Sequence, residues 1–187
     1  MRGISDINWI YKKYYSGHPA LKKVVITHSE MVAKKALAIK NALNLPLDSK
    51  DIYIAAMVHD IGVVKCNAPG IGAFGEVPYL KHGLEGEKIL LENGLEKYAN
   101  ICKTHTGSGI TAKEITDNNL PLPSQDMLPE TLLEKLICYA DKFYSKSGDI
   151  TREKSVEEIA SQMKKFGEDS YSRFMEMHRL FSSPESA

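Results

Sequence analysis

An all-α fold, one helical bundle formed by the whole chain, is predicted by three observations. Three Ser/Thr-x-x-Glu boxes, at Thr27–Glu30, Thr131–Glu134 and Ser155–Glu158, have the form that begins a helix. In such a box the hydroxyl accepts a free backbone N–H and the glutamate reaches back to the cap. Behind the boxes, apolar residues recur every three to four positions, the period of a helix that buries one face. The chain has 187 residues, enough for a sizeable core and the size of one domain.

The first box predicts a helix from His28 to about Leu43, with Met31, Val32, Ala36, Ile39 and Leu43 near one stripe. Leu45-Pro-Leu-Asp48 ends it, and Asp48 caps a second helix in which Ile52, Ala55, Ala56 and Val58 lead to His59-Asp60 before Gly62 stops it. Residues Lys65 to Lys81 carry Pro69, Gly70, Gly72, Gly75 and Pro78 and read as an irregular loop. A helix from Gly83 to Leu91 is stopped by Asn93-Gly94, and another from Leu95 to His105 by Thr106-Gly107. Asn118 to Pro129 contains three prolines and reads as a second long loop. Thr131 opens a helix to about Ser145 with Leu133, Leu136, Ile137 and Ala140 inward, and Ser155 opens a C-terminal helical region to about Phe181.

Composition limits the partners. Lysine plus arginine balance aspartate plus glutamate at 24 each, so no global field favours a nucleic acid polymer or an anionic membrane, and a small substrate is expected. The longest apolar stretches fall short of the ~20 residues of a membrane span. Met1 to Lys13 lacks the order of a signal peptide, so a cytoplasmic protein is expected. Cys66, Cys102 and Cys138 are odd in number and share no short spacing, which argues against a disulfide framework or a zinc ribbon. Cys102 and Cys138 read as core residues. Gly70-Ile-Gly72 lacks the preceding strand and following helix of a dinucleotide fingerprint.

The chemistry lies in a series of histidines and aspartates, the ligand types that suit borderline metal ions. On the elements above, His28 starts its helix, His59-Asp60 ends the next, His82 precedes the third and His105 closes the fourth. If consecutive helices run antiparallel, all four positions fall at one end of the bundle. Asp141 lies four residues after Ile137 and eight after Leu133, on an apolar stripe where a carboxylate is costly unless paired or metal-bound. Any one of these histidines alone is more often an ordinary one, but four of the six fall in the series. His18 and His178, near the termini, are assigned no role.

Ala55-Ala-Met-Val-His-Asp-Ile-Gly62 resembles the HDIG signature of the HD superfamily of metal-dependent phosphohydrolases. His28, His82-Gly83, His105 and Tyr139-Ala-Asp-Lys142 match its remaining positions. The signature core is residues 27–148 of a single domain over 1–187, with 149–187 as a C-terminal helical extension. The resemblance implies a metal held by His28, His59, Asp60 and Asp141, and a second held by His82 and His105 with Asp60 bridging. Divalent iron or manganese is favoured, with zinc, nickel or magnesium also compatible. Two such cations acidify a water and clamp the attacking and departing oxygens of a phosphoryl displacement. The implied activity is hydrolysis of a phosphoester or phosphoanhydride bond in a nucleotide or other small phosphorylated metabolite, through metal-activated water.

Lys142 and Lys146, one turn apart beyond Asp141, are the candidate substrate-binding residues, and Lys65 and Lys81 bracket the long loop. Relatives often carry a lysine directly after the HDIG tetrad. Here Val63 and Val64 intervene, which points Lys65 elsewhere. The loop 65–81 joins two ligand positions and is a candidate pocket wall. Two alternatives remain: an HD-type diiron oxygenase that cleaves C–P or C–C bonds, and a non-catalytic nucleotide-binding module, which would require lost ligands.

Overall fold

The computed structural model describes residues 7–182. The outermost residues of the expected 1–187 unit, and the first part of the Met1–Lys13 stretch, lie outside the described residues. The fold is mostly helical. In chain order the α-helices are α1 (Asn8–Tyr15), α2 (Pro19–Ala42), α3 (Ser49–Val58), α4 (His82–Leu91), α5 (Glu96–Thr104), α6 (Ala112–Asp117), α7 (Leu132–Asp141), α8 (Val156–Phe166) and α9 (Glu168–Phe181). No helix among the described residues is long and apolar enough to cross a membrane.

The inward stripes of α2, α3, α5 and α7 form the centre of the core, and buried residues of α1, α4, α8 and α9 join it. Val25, Val32, Ala36, Ile52, Ala55, Val58, Leu136, Ile137 and Ala140 are all fully buried, and Cys66, Cys102 and Cys138 are buried free thiols. Burying a leucine- or isoleucine-sized side chain stabilises the fold by about 1.5–3 kcal/mol. These stripes therefore fix which way each helix faces. Asp48 caps α3 by accepting the N–H groups of Lys50 and Asp51, and the boxes at Thr131 and Ser155 cap α7 and α8 as expected. Helix α9 closes over α7, where Tyr139 stacks on Phe174 and packs on Phe181.

Several expectations change. The box at Thr27 does not start a helix, because α2 is already running from Pro19, the favoured first residue. Leu21 and Val25 extend its buried stripe upstream of His28. The loop 65–81 holds a small sheet: β1 (Cys66–Ala68) pairs antiparallel with β2 (Ala73–Phe74) and parallel with β3 (Val77–Pro78). Helix α6 interrupts the region before the second long loop, and it is capped by Thr111 and Glu114 in a full box. Helix α7 stops at Asp141 rather than Ser145. Its last turn tightens into bonds from the N–H groups of Lys142, Phe143 and Tyr144 to the carbonyls of Tyr139, Ala140 and Asp141. The C-terminal region is two helices, broken at Gly167, whose φ of 126° an L side chain rarely adopts.

Candidate metal centre

Five helices and one turn bring these six histidines and aspartates together. His28 comes from the interior of α2, one correction to the expected helix-end placement. His59 is the residue after α3, and Asp60 precedes a 3₁₀ turn (Ile61–Lys65). His82 is the first residue of α4, His105 follows α5, and Asp141 is the last residue of α7. All six are buried. They form two groups that share Asp60: His28, His59, Asp60 and Asp141, and Asp60, His82 and His105. Within each group the donor atoms lie within 4.8 Å of one another.

The geometry divides the Asp60 carboxylate between the groups. Oδ2 lies 3.3 Å from His28 Nε2 and 3.1 Å from His59 Nε2. Oδ1 lies 3.5 Å from His82 Nε2 and 3.4 Å from His105 Nε2. Asp141 Oδ1 completes the first group, 2.8 Å from His28 Nε2 and 3.4 Å from His59 Nε2. Donors about 2.1 Å from one ion are about 3.0–3.4 Å apart in octahedral or tetrahedral coordination, close to the 2.8–3.5 Å of these contacts.

His28 Nε2 is hydrogen-bonded to Asp141 Oδ1, but the hydrogen bonding turns the other three histidines toward the centre. Nδ1 of His59 donates to Ala56 O, that of His82 to Tyr79 O, and that of His105 to Cys102 O. This turns the Nε2 lone pairs inward, as in histidines that ligate metals. His59 Nε2 and both Asp60 oxygens, fully buried, make no well-directed hydrogen bond. The Nε2 atoms of His82 and His105 stand 3.0 Å apart. Lone pairs at that distance repel unless a positive charge meets them.

The electrostatics disfavour a proton on three of the four histidines. Burial, then His105, pushes His82 down to about 3, and burial, then Lys146, pushes His28 down to about 4. Burial also lowers His105. His59 moves the other way, to about 9, because the pull of Asp60 and Asp141 outweighs burial. Burial would raise both carboxyls, yet the facing charges hold Asp60 and Asp141 well below the usual range, His59 and Lys146 at the first and Lys142 and Lys146 at the second. Two ionised carboxylates amid mostly neutral imidazoles suit a divalent cation.

Both candidate lysines reach this centre. Lys142 Nζ lies 2.6 Å from Asp141 Oδ2 and donates to His105 O, and Lys146 Nζ lies 2.7 Å from Asp60 Oδ2. Lys146 arrives from the turn beyond α7, not from a further turn of the helix. Lys65 points away, with its ammonium over the Tyr14 ring, and Lys81 is not among the residues of the cleft. A cavity of about 760 Å³ opens outward from Asp141, Lys142 and Lys146. The loop 65–81 forms one wall through Ala68, Ile71, Tyr79 and Leu80.

Sequence reasoning passed over residues that brace the centre. Tyr11 donates to Met57 O and Tyr15 to Ile61 O, so two α1 tyrosines grip the backbone on either side of His59-Asp60. Their spacing of four, one helical face, was the available signal. Tyr79 stacks on His82 at 4.9 Å. Its neighbours in sequence read only as loop.

A buried histidine–aspartate cluster on a helical scaffold is consistent with the binding of divalent metal. The chain belongs to the HD domain family, whose model matches residues 25–146. It is 37% identical over 114 residues to an uncharacterized protein of Methanocaldococcus jannaschii, covering 60% of this chain and 59% of that one. It is also similar to two proteins named tRNA (cytidine(56)-2'-O)-methyltransferase. With that of Picrophilus torridus the identity is 32% over 123 residues, 65% of this chain and 32% of the relative. With that of Thermoplasma volcanium it is 28% over 160 residues, 85% and 42% respectively. The chain thus spans less than two thirds of each of these relatives. No solved structure matches it.

Proposed function

We propose that this protein is a metal-dependent phosphohydrolase with a dinuclear centre, acting on a small phosphorylated substrate such as a nucleotide. The observation that carries the reading is the position of Asp60, one oxygen facing His28 and His59 and the other facing His82 and His105. Asp141 joins the first pair. Bound there, divalent iron or manganese would acidify a water and neutralise charge on the phosphoryl oxygens.

The chain's own residues supply the rest. Lys142 and Lys146 stand where the centre opens into the cleft, paired with Asp141 and Asp60, and once metal ions meet those carboxylates they would be released to hold a phosphate by charge-assisted hydrogen bonds. The closely packed histidines and the Tyr79 ring keep bulk water from the inner side of the centre. The methyltransferase name of two relatives is not carried over, since the chain aligns with 32% and 42% of their lengths.

The test is anaerobic purification with elemental analysis, then phosphate release from a phosphoester panel and oxygen consumption on the same loaded sample. Phosphate release without oxygen uptake is expected. Oxygen uptake with an organophosphonate or a polyol would overturn the reading in favour of an oxygenase. Asp60→Ala should lose metal and turnover together, because one carboxylate serves both groups; full metal content with full activity would remove Asp60 from the site.

A further inference from the structure

Two positive charges in the cleft remain after its ion pairs are assigned. Asp141 is met by Lys142, Asp60 by Lys146, and Glu114 by Arg173. Lys154 and Lys165 line the same cavity, and neither ammonium makes an ion pair or hydrogen bond among the described residues. Lys165 is exposed on α8, where water solvates it. Lys154 is only partly exposed, and burying an ammonium without a partner is unfavourable.

Lys154 is also held in place. Its backbone N–H donates to Phe143 O at 2.9 Å, which ties it to the end of α7, and the next residue, Ser155, is the cap of α8. Burial weakens its hold on its proton, and Lys142 and Lys146 push the same way against Asp141. All three lysines line one cavity. The cavity of about 760 Å³ is within the ordinary range of small-molecule sites, about 300–1,000 Å³.

We propose that Lys154, with Lys165 at the outer rim, forms a second anion subsite, so that the substrate carries a further phosphate beyond the one at the histidine–aspartate centre. This rests on the phosphohydrolase reading only for the occupant of the first subsite. An anion beside Lys154 supplies the partner that the fold does not, and the molecule is drawn along the cleft rather than out of it.

Calorimetry at fixed ionic strength on the metal-loaded protein tests this with AMP and with α,β-methylene-ADP, which lacks a cleavable anhydride. One charge-assisted hydrogen bond corresponds to about tenfold in affinity. The wild type should bind the diphosphate at least about tenfold more tightly than the monophosphate. Lys154→Ala should remove most of that preference and Lys154→Arg should keep it, with circular dichroism showing that both variants fold. Equal wild-type affinities, an equal loss for both ligands in Lys154→Ala, or no binding of either ligand would overturn the subsite. A protein with the Lys154-dependent preference that releases no phosphate keeps the subsite and loses the hydrolase. One that hydrolyses monophosphates without preferring the diphosphate does the reverse.

Discussion

Gly62→Ala tests how the fold makes the centre. A Cβ at Gly62 would sit 2.1 Å from His82 O and 2.3 Å from Gly86 N, more than 1 Å short of ordinary contact at 3.4 Å. Both obstacles are backbone atoms of the first turns of α4, so no side-chain rotation relieves them. Helix α4 must move away from the 3₁₀ turn, at the upper end of the ~1–3 kcal/mol that overpacking costs. His82 moves with it. Its Nε2 stands 3.5 Å from Asp60 Oδ1 and 3.0 Å from His105 Nε2, and a metal site tolerates displacements of about 0.2 Å. With the two-ion centre proposed above, the variant should therefore keep the ion at His28, His59, Asp60 and Asp141 and lose the one at His82 and His105. Urea unfolding should shift by roughly 1–2 M, given a slope of about 2 kcal/mol/M, and elemental analysis should show one ion fewer. Stability within about 0.5 kcal/mol of wild type together with the full metal complement would refute the close-approach argument.

Two further outcomes are expected. His82→Ala should remove one metal ion and leave the other, since His28, His59 and Asp141 do not depend on it; a stoichiometry equal to wild type would contradict the two-ion centre. Arg173→Ala removes a forked pair to Glu114, at 2.7 and 2.8 Å, and bonds to Ser108 O and Gly109 O, and should cost about 2 kcal/mol. Burial acts to raise the Glu114 carboxyl, but the Thr111 N–H and Arg173 outweigh it and leave it lowered. Its stabilising effect is complete above the ordinary value of 4.5 and is lost as pH falls through the folded value, so the variant should lose less stability on acidification than wild type. Unfolding midpoints from pH 6 down to about pH 3 check this, and parallel curves would count against it.

Local signals were legible where tertiary structure agreed with them. Asp48, Thr131 and Ser155 each cap the helix that their sequence announces. The same pattern failed at Thr27 and was passed over at Thr111. The difference lies upstream. Before Thr27 stand Pro19, Leu21 and Val25, a favoured start and a buried stripe, so the chain is already helical there. Before Thr111 stand Gly107 and Gly109, both with positive φ, so a helix can begin only at the box. The small sheet of residues 66–78 was not legible, because its strands are two or three residues long and show no alternation.

The centre was more legible than the elements that carry it, and the misplaced His28 shows why. Convergence at one end of the bundle was argued from helix ends, yet His28 enters from the middle of α2. What fixes its position is its face. His28 follows Leu21 and Val25 and precedes Val32 and Ala36 on the stripe that α2 buries, so its ring must point inward wherever the helix begins. Asp141 obeys the same rule on α7, behind Leu136, Ile137 and Ala140. A polar residue on a buried stripe points into the core and must find a partner there. Helix ends decide the other four: His59, Asp60, His82 and His105 lie where the backbone changes direction and the chain can approach closely, as Gly62 does beside α4. Stripe periodicity places two members of the centre and chain reversal places four. Lys146 and Lys154 follow neither rule, since both lie in the irregular segment between α7 and α8, and tertiary contact alone brings them to the cleft.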